Sequence, residues 1–431
     1  MAAGGGMTPL SVLHVAYADV MGGASRASYR IHRALVDHAA ALGISSRMQV
    51  AVKSSADDTI ADGAAARSRL RRSVRYHLHR WRTRRFATTS DAFHAIAWPS
   101  TGFGAELARS DADLLHLHWL GRDVLSVEEI GALRQPIVWT LHDMWPICGA
   151  ETYSDDRRFA DGYTAVNRPS YERGPDLNRW TWQRKQRAWR RPMHLVCTSQ
   201  WMADRVDRSA LMRHWPVSVI PYPIDLAAYA PMEQGEARAR LGLPADVPII
   251  LFGAIGGLAD RRKGGDVLLD ALTRLRREAR IGGGDFHLVV FGQDQPTDAP
   301  RVEFPVHYAG ALRDDASLRL HYAAADVMVV PSRQEALGQT ACEAMACGTP
   351  VVASRVGGLS EVVAHCETGY LAGPQDAGAL ATGIEWVLSD RARRAALGAS
   401  ARAAAERRWQ PERVARLYAD VYHEVRRSIG S

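Results

Sequence analysis

The chain has 431 residues, more than one typical hydrophobic core serves, so two domains are expected. Apolar residues make up 47% of it and the formal net charge is +7, which excludes wholesale disorder and favours anionic partners such as a nucleotide or a phospholipid surface. No run approaches the roughly 18–20 consecutive apolar residues of a membrane span, and the start MAAGGGMTPLSVLHVA lacks the basic region of a secretory signal.

Residues 10–16 read as a first strand. The turn Asp19-Val20-Met21-Gly22-Gly23 follows, then a helix over 24–40. A glycine pair there either lets backbone approach a ligand or makes a plain tight turn. It is not the G-x-G-x-x-G dinucleotide pattern, which argues against an NAD dehydrogenase. Arg26 and Arg30, early on that helix, meet phosphate or solvent. Residues 48–52 form a second strand and 54–66 a small, polar loop. Residues 67–85 then hold nine arginines, two histidines and no acid, with Leu70, Val74, Leu78 and Trp81 at helical spacing. Such a helix either lies on an anionic membrane surface, anchored by Trp81 and Phe86, or packs its stripe on the domain with its arginines solvated. No zinc-finger, RNP-like or helix-turn-helix pattern supports nucleic acid as a partner.

Strands over 112–119 and 136–143 end in His118 and His142, on the ligand side of a parallel sheet. Residues 153–173 are a polar insertion. Trp180, Trp182, Lys185, Arg187, Arg190 and Arg191 follow on a basic helix, as a glycan or lipid-phosphate platform or as core. Strands over 194–199 and 217–221 close the first half, and Pro221-Tyr222-Pro223 stiffens a boundary. Five scattered cysteines, Cys148, Cys197, Cys342, Cys347 and Cys366, fit neither a disulfide framework nor a zinc site, so a reducing cytoplasm is expected.

The second half opens with a strand over 249–253. A glycine-rich loop with Gly256 and the consecutive basic residues Arg261, Arg262 and Lys263 precedes a helix from Asp266. A further strand reads at 285–292, with a helix at 314–323. Residues 327–330 then run as a strand into Pro331-Ser332 and a polar turn with Glu335. A helix starts near Gly338 and stops at Gly348, where Pro350 forbids continuation. Its first residues, Gly338, Gln339 and Thr340, offer backbone N–H groups and a positive dipole end to a phosphate. Glu343, among Ala341, Cys342, Ala344 and Met345, is either a ligand carboxylate or an ordinary solvated residue. A strand over 351–353 and the turn Gly357-Gly358 follow. Helices read at 376–388 and 391–408, with a last one at 409–429 kinked near Pro411.

The set Glu335, Glu343, Gly348-Thr349-Pro350-Val351-Val352, Gly357-Gly358 and Glu361 resembles the donor-sugar motif of retaining GT-B glycosyltransferases of the family 4 type: E-x7-E, then G-T-P-V-V, then G-G-x-x-E. The resemblance implies an α/β GT-B fold, with two Rossmann-like domains facing across a cleft. Residues 8–224 would form the acceptor-side domain, with the basic helix 67–85 and an insertion at 150–178. Residues 225–408 would bind the nucleotide-sugar, and 409–431 would form a helix crossing back to the first domain.

It further implies a retaining hexosyltransferase that works without a metal or other cofactor. The donor would be a nucleotide-diphosphate sugar, UDP or GDP expected, and the acceptor a hydroxyl of a glycan or lipid-linked molecule in surface polysaccharide or glycolipid synthesis. Lys263 and Arg261 would clamp the diphosphate, because Leu258 stands where the family carries its arginine, and Arg262 is the other candidate. Glu335 would hold the sugar, His142 would lie over it, and Glu343 would take the ribose. Gly22, Gly23, Gly256, Ala311, Leu312, Gly338, Gln339 and Thr340 would complete the donor contacts. No clear D-x-D sits at a strand end to hold a metal. A nucleotide-sugar 2-epimerase and a non-catalytic nucleotide-sugar-binding membrane scaffold are the alternatives. The expected location is the cytoplasm, peripheral on the inner face of the membrane if the basic helix docks there.

Overall fold

A computed structural model describes residues 8–63, 69–121 and 124–430. The chain divides into two compact units, one running to Pro223 and including Pro411 onward, the other spanning Ile224–Gln410.

The first unit is built on strands β1 (Leu10–Ala18), β2 (Ile44–Val52), β3 (Ile60–Asp62), β4 (Leu114–Leu117), β5 (Ile137–Leu141), β6 (His194–Cys197) and β7 (Val217–Val219). All are parallel, in the order β3-β2-β1-β4-β5-β6-β7. The second carries β8 (Ile249–Gly253), β9 (His287–Phe291), β10 (Val306–Gly310), β11 (Val327–Val330), β12 (Val351–Ser354) and β13 (Gly369–Ala372). These are parallel too, in the order β10-β9-β8-β11-β12-β13. Strands β4, β5, β8, β11 and β12 are buried at every residue. Helices cover both faces of such sheets, which is why the strands read as continuous apolar runs without alternation.

In each sheet the order reverses beside the first strand, between β1 and β4 and between β8 and β11. That reversal opens a crevice outside the carboxyl ends of the strands, where doubly wound sheets bind ligands. It also brings together loops far apart in sequence: the turn after β8 meets the turn after β11.

The structure corrects several expectations. The loop expected at 54–66 contains edge strand β3, whose Ile60 alone is buried, leaving too short an apolar signal to read. The helix expected over 24–40 ends at Asp37, and a short one resumes at Ala39–Leu42. Pro411 does not kink a helix. It begins one, Pro411–Gly430, at the first-turn position where its missing N–H is harmless. That helix buries Val414, Tyr418 and Tyr422. The two tyrosines reach Thr140 (3.2 Å) and His116 (2.7 Å).

The basic segment is a helix, Arg69–Thr83, as expected. Its stripe is not packed away: Val74, Leu78 and Trp81 are 51%, 38% and 56% exposed. The side chain of Leu70 lies outside the described residues. On the later helix Leu177–Ala188, Trp182 and Lys185 are core, so the platform alternative fails for them. Lys185 donates to the carbonyls of Trp145, Cys148 (3.1 Å) and Gly149 (2.8 Å), and burial pulls its ammonium down to about 7. The polar insertion is held by buried ion pairs, Arg158 bridging Glu172 (2.7 Å) and Asp156 (2.8 Å). All five cysteines are unpaired thiols. No described helix is long and apolar enough to cross a membrane.

Candidate active site

In the second unit, β8 leads into two short 3-10 turns, Gly257–Ala259 and Arg261–Lys263. Asp260 caps the second, its carboxylate accepting from Arg262 N (3.0 Å). Gly264 then takes a φ of +72° with its α-carbon against the β11 turn; a Cβ there would lie 2.0 Å from the Pro331 carbonyl oxygen. Only glycine satisfies both conditions. Arg333 stitches the two loops, its N–H donating to Arg262 O (2.8 Å) and its guanidinium forking onto Asp266 (2.8 and 2.6 Å). Sequence reading passed over Arg333, because its partner lies 67 residues away.

This stitching sets Lys263 Nζ 2.5 Å from Glu335 Oε2, which also accepts from Ser332 Oγ (3.3 Å). The Arg262 guanidinium lies 3.7 Å from the same oxygen and donates to Gln334 O (3.3 Å). Arg262 thus stands beside Glu335, and the Arg261 carbonyl accepts from Arg333. Burial alone would push the Glu335 carboxyl up, but Lys263 and Arg262 outweigh it and hold it below the usual carboxylate range. Leu258 packs against the core of this unit.

The helix Gln339–Ala346 starts at Gly338 (φ 98°) with no side-chain cap, so its dipole and backbone donors face the same turn as Glu335. Gly357 backs the turn, since a Cβ there would sit 2.0 Å from Glu335 O. Glu343 is buried and not solvated: its Oε2 accepts from the hydroxyl of the fully buried Tyr322 at 2.8 Å. Nothing in the spacing points to Tyr322. Gly256 (φ 86°) and Ala311 are exposed at the same end of the sheet, where Gly292 joins the strand ends by donating to Gly310 O (2.8 Å) and accepting from Gly256 N (3.3 Å). Leu312 follows Ala311, half-buried.

In the first unit, Gly22 (φ 90°) opens the helix Gly23–Asp37. Asp19 fixes the preceding turn by accepting from Ser54 and Ser55 N–H (2.9 and 2.7 Å). His118 and His142 follow β4 and β5 directly, as expected. They belong to a buried chain: His14 Nδ1 to His118 Nε2 (2.9 Å), His118 Nδ1 to His142 Nε2 (3.1 Å), His142 Nδ1 to the Tyr222 hydroxyl (2.7 Å). Both nitrogens of His142 are thus engaged inside its own unit. Burial lowers its pKa to about 3 and that of His32 to about 4, and it drives His14, His116 and His118 well below the normal imidazole value. A small pocket beside the chain is lined by Trp119, Trp145 and Asp143, whose carboxylate accepts from Trp119 Nε1 and Trp145 N (both 2.9 Å).

His14, His116 and His118 put one ring nitrogen each within 4.8 Å of the others. As a metal site they fit poorly. His116 spends both nitrogens on the Tyr422 and Thr140 hydroxyls, and His118 spends both on neighbouring imidazoles. A metal taking one nitrogen from each ring would break one of these hydrogen bonds at His116 and one at His118. A D-x-D does occur, at Asp111 and Asp113, but at the amino end of β4; Asp113 accepts from Ser11 N (2.9 Å) and Asp111 pairs with Arg47 (2.5 Å).

Two family models match the chain: Glycosyltransferase Family 4 over residues 21–228 and Glycosyl transferases group 1 over residues 249–390. Among curated relatives, a D-inositol 3-phosphate glycosyltransferase of Xylanimonas cellulosilytica is 39% identical over 226 residues, 48% of this chain and 51% of the relative. One from Catenulispora acidiphila is 38% identical over 200 residues, 43% and 45% of the two chains. The chain spans about half the length of the curated relatives it matches. Among solved structures, sucrose-phosphate synthase of Thermosynechococcus elongatus aligns with a TM-score of 0.64 at 22% identity, over 96% of this chain and 99% of that one. Anabaena HepE, solved in complex with UDP-glucose, aligns at 0.65 and 17% identity over 96% and 100%. At these identities the likeness is one of fold.

Proposed function

The chain belongs to the GT-B glycosyltransferases of the family 4, group 1 type, and from that premise we propose that it transfers a glycosyl group from a nucleoside-diphosphate sugar to an acceptor hydroxyl. One observation carries the reading: two cations meet one carboxylate beside an uncapped helix start at the β8/β11 switch point. Cleaving the anomeric C–O bond leaves negative charge on the departing diphosphate. Lys263, Arg262 and the backbone N–H groups at residues 338–340 stabilise that charge, the task a divalent metal performs elsewhere. Glu335 accepts from hydroxyls of the sugar. Glu343, oriented by Tyr322, accepts from the ribose. Retention by same-face attack and independence from metal follow from the family resemblance. In the first unit the Trp119–Asp143–Trp145 pocket takes the acceptor side, and the engaged nitrogens of His142 make it a wall more than a hydrogen-bonding partner.

A thermal-shift screen of UDP-, GDP- and ADP-sugars in EDTA tests the donor. A ligand at about 100 times its Kd stabilises by ~2.7 kcal/mol. At ~2–4 °C per kcal/mol, the right base raises the melting temperature by about 5–10 °C. If none shifts it, the donor assignment falls.

The acceptor is proposed to be glycan or lipid-linked, reached at the inner face of a membrane through the helix Arg69–Thr83. Its exposed Val74, Leu78 and Trp81 are flanked by Arg80, Arg82 and Arg84, a pattern that suits an anionic interface. The chain should co-sediment with vesicles rich in phosphatidylglycerol and not with phosphatidylcholine vesicles. Replacing Val74 and Trp81 by serine, or neutralising Arg71, Arg72 and Arg75, should abolish that binding. Equal sedimentation of these variants would remove the membrane from the account.

A further inference from the structure

The ammonium assigned to the diphosphate and the carboxylate assigned to the sugar are bonded to each other, Lys263 Nζ to Glu335 Oε2 at 2.5 Å. We propose that Glu335 is an internal competitor for the donor diphosphate: its carboxylate holds the place on Lys263 that a phosphate oxygen takes, and the arriving diphosphate displaces it. This rests on the donor reading above and adds the order of events within that site.

Three groups converge on the single oxygen Oε2: Lys263 Nζ, Ser332 Oγ at 3.3 Å and the Arg262 guanidinium at 3.7 Å. An oxygen met by two cations and a hydroxyl has the surroundings of a bound phosphate oxygen. The exchange needs only side-chain motion. The backbone of Glu335 is fixed, its carbonyl accepting from Gly358 N (3.0 Å) and backed by Gly357. Gly264 likewise holds the basic turn against Pro331. The side chains of Lys263 and Glu335 retain 21% and 12% exposure, so water and an incoming anion reach the pair. A diphosphate carries more charge than one carboxylate and presents several acceptor oxygens, so it wins the cations.

Displacement turns the Glu335 carboxylate toward the sugar hydroxyls only after the diphosphate has seated. Once the glycosyl group has left, those hydroxyls are gone and the carboxylate returns to Lys263. Its return favours release of the nucleoside diphosphate. The residue that holds the sugar thereby also clears the product.

The test is calorimetric titration of the full chain with UDP, GDP and ADP. Glu335→Gln removes the competing charge, and it should bind the preferred nucleoside diphosphate about tenfold more tightly than wild type while turning over the nucleotide-sugar more slowly. Equal or weaker binding by Glu335→Gln overturns the competitor role and leaves the donor reading intact. No binding by either protein overturns both. A second readout uses unaltered protein labelled with 15N-lysine: the chain has three lysines, Lys53, Lys185 and Lys263. The preferred nucleoside diphosphate must shift the Lys263 side-chain signal, and an unmoved signal at saturation also overturns the exchange.

Discussion

Lys263→Met should lower turnover of the preferred nucleotide-sugar by about 10²–10³-fold, the effect of removing one preorganised group that meets charge developing in a transition state. Methionine keeps most of the aliphatic stem, so packing around it survives. Glu335 keeps Ser332 and the nearby Arg262 as partners. The cost in stability should then be about 1–3 kcal/mol, that of a partly compensated carboxylate. Release of nucleoside diphosphate gives the first quantity and chemical denaturation the second. A variant that turns over within threefold of wild type would show that Lys263 does not carry the departing charge. Lys263→Arg restores the sign of the charge but not its compact shape, and should recover part of the rate.

Acid should unfold the first unit well before the second. His14, His32, His116, His118 and His142 are buried, and burial holds all five neutral, His32 to about 4 and His142 to about 3. Few charges oppose this. Asp57 and Arg33 act on His32 in opposite directions; the other partners are the hydroxyls of Ser46, Thr59, Thr140, Tyr222 and Tyr422 and the imidazoles of the array itself, whose mutual repulsion lowers them further. A depressed imidazole pKa means that the unfolded chain binds the proton first. The stability from these groups is complete above the unfolded value near 6.5 and drains as pH falls below it. Each site contributes ~1.4 kcal/mol per pH unit, so five sites together remove about 6 kcal/mol between pH 7 and 5.5. That is comparable to the whole stability of an ordinary domain. Ten of the twelve tryptophans precede residue 224, so tryptophan fluorescence reports this unit. Urea unfolding at several pH values measures the slope, and His116→Asn should make it shallower. A flat profile from pH 7 to 5 would mean that the imidazoles are not neutral in the folded unit.

Glu335 and Glu343 were legible because they stand in a run whose punctuation is local: an apolar strand, a turn, a helix stopped by Gly348 and Pro350; Lys263 was legible as the end of a basic triplet in the glycine-rich loop after another apolar strand. Edge strand β3 was not, since a strand with one buried residue carries no periodicity. The fate of the stripe Val74, Leu78 and Trp81 was equally hidden, because amphipathicity states that a face is apolar and not what covers it. The histidine array could not be seen at all. His14 and His116 are register partners on β1 and β4, about a hundred positions apart, and Tyr422 comes from the far end of the chain.

The sequence by itself determined the alternation of strands and helices, the two-unit α/β organisation and the motif at residues 331–361, because each depends on short-range patterning and backbone chemistry. Tertiary structure alone decided which arginine stands beside Glu335, that Glu343 leans on Tyr322, and that His142 has both nitrogens engaged. Those are matters of strand order: once β8 and β11 lie side by side, loops some seventy residues apart share one electrostatic environment, and no spacing rule along the chain encodes that neighbour.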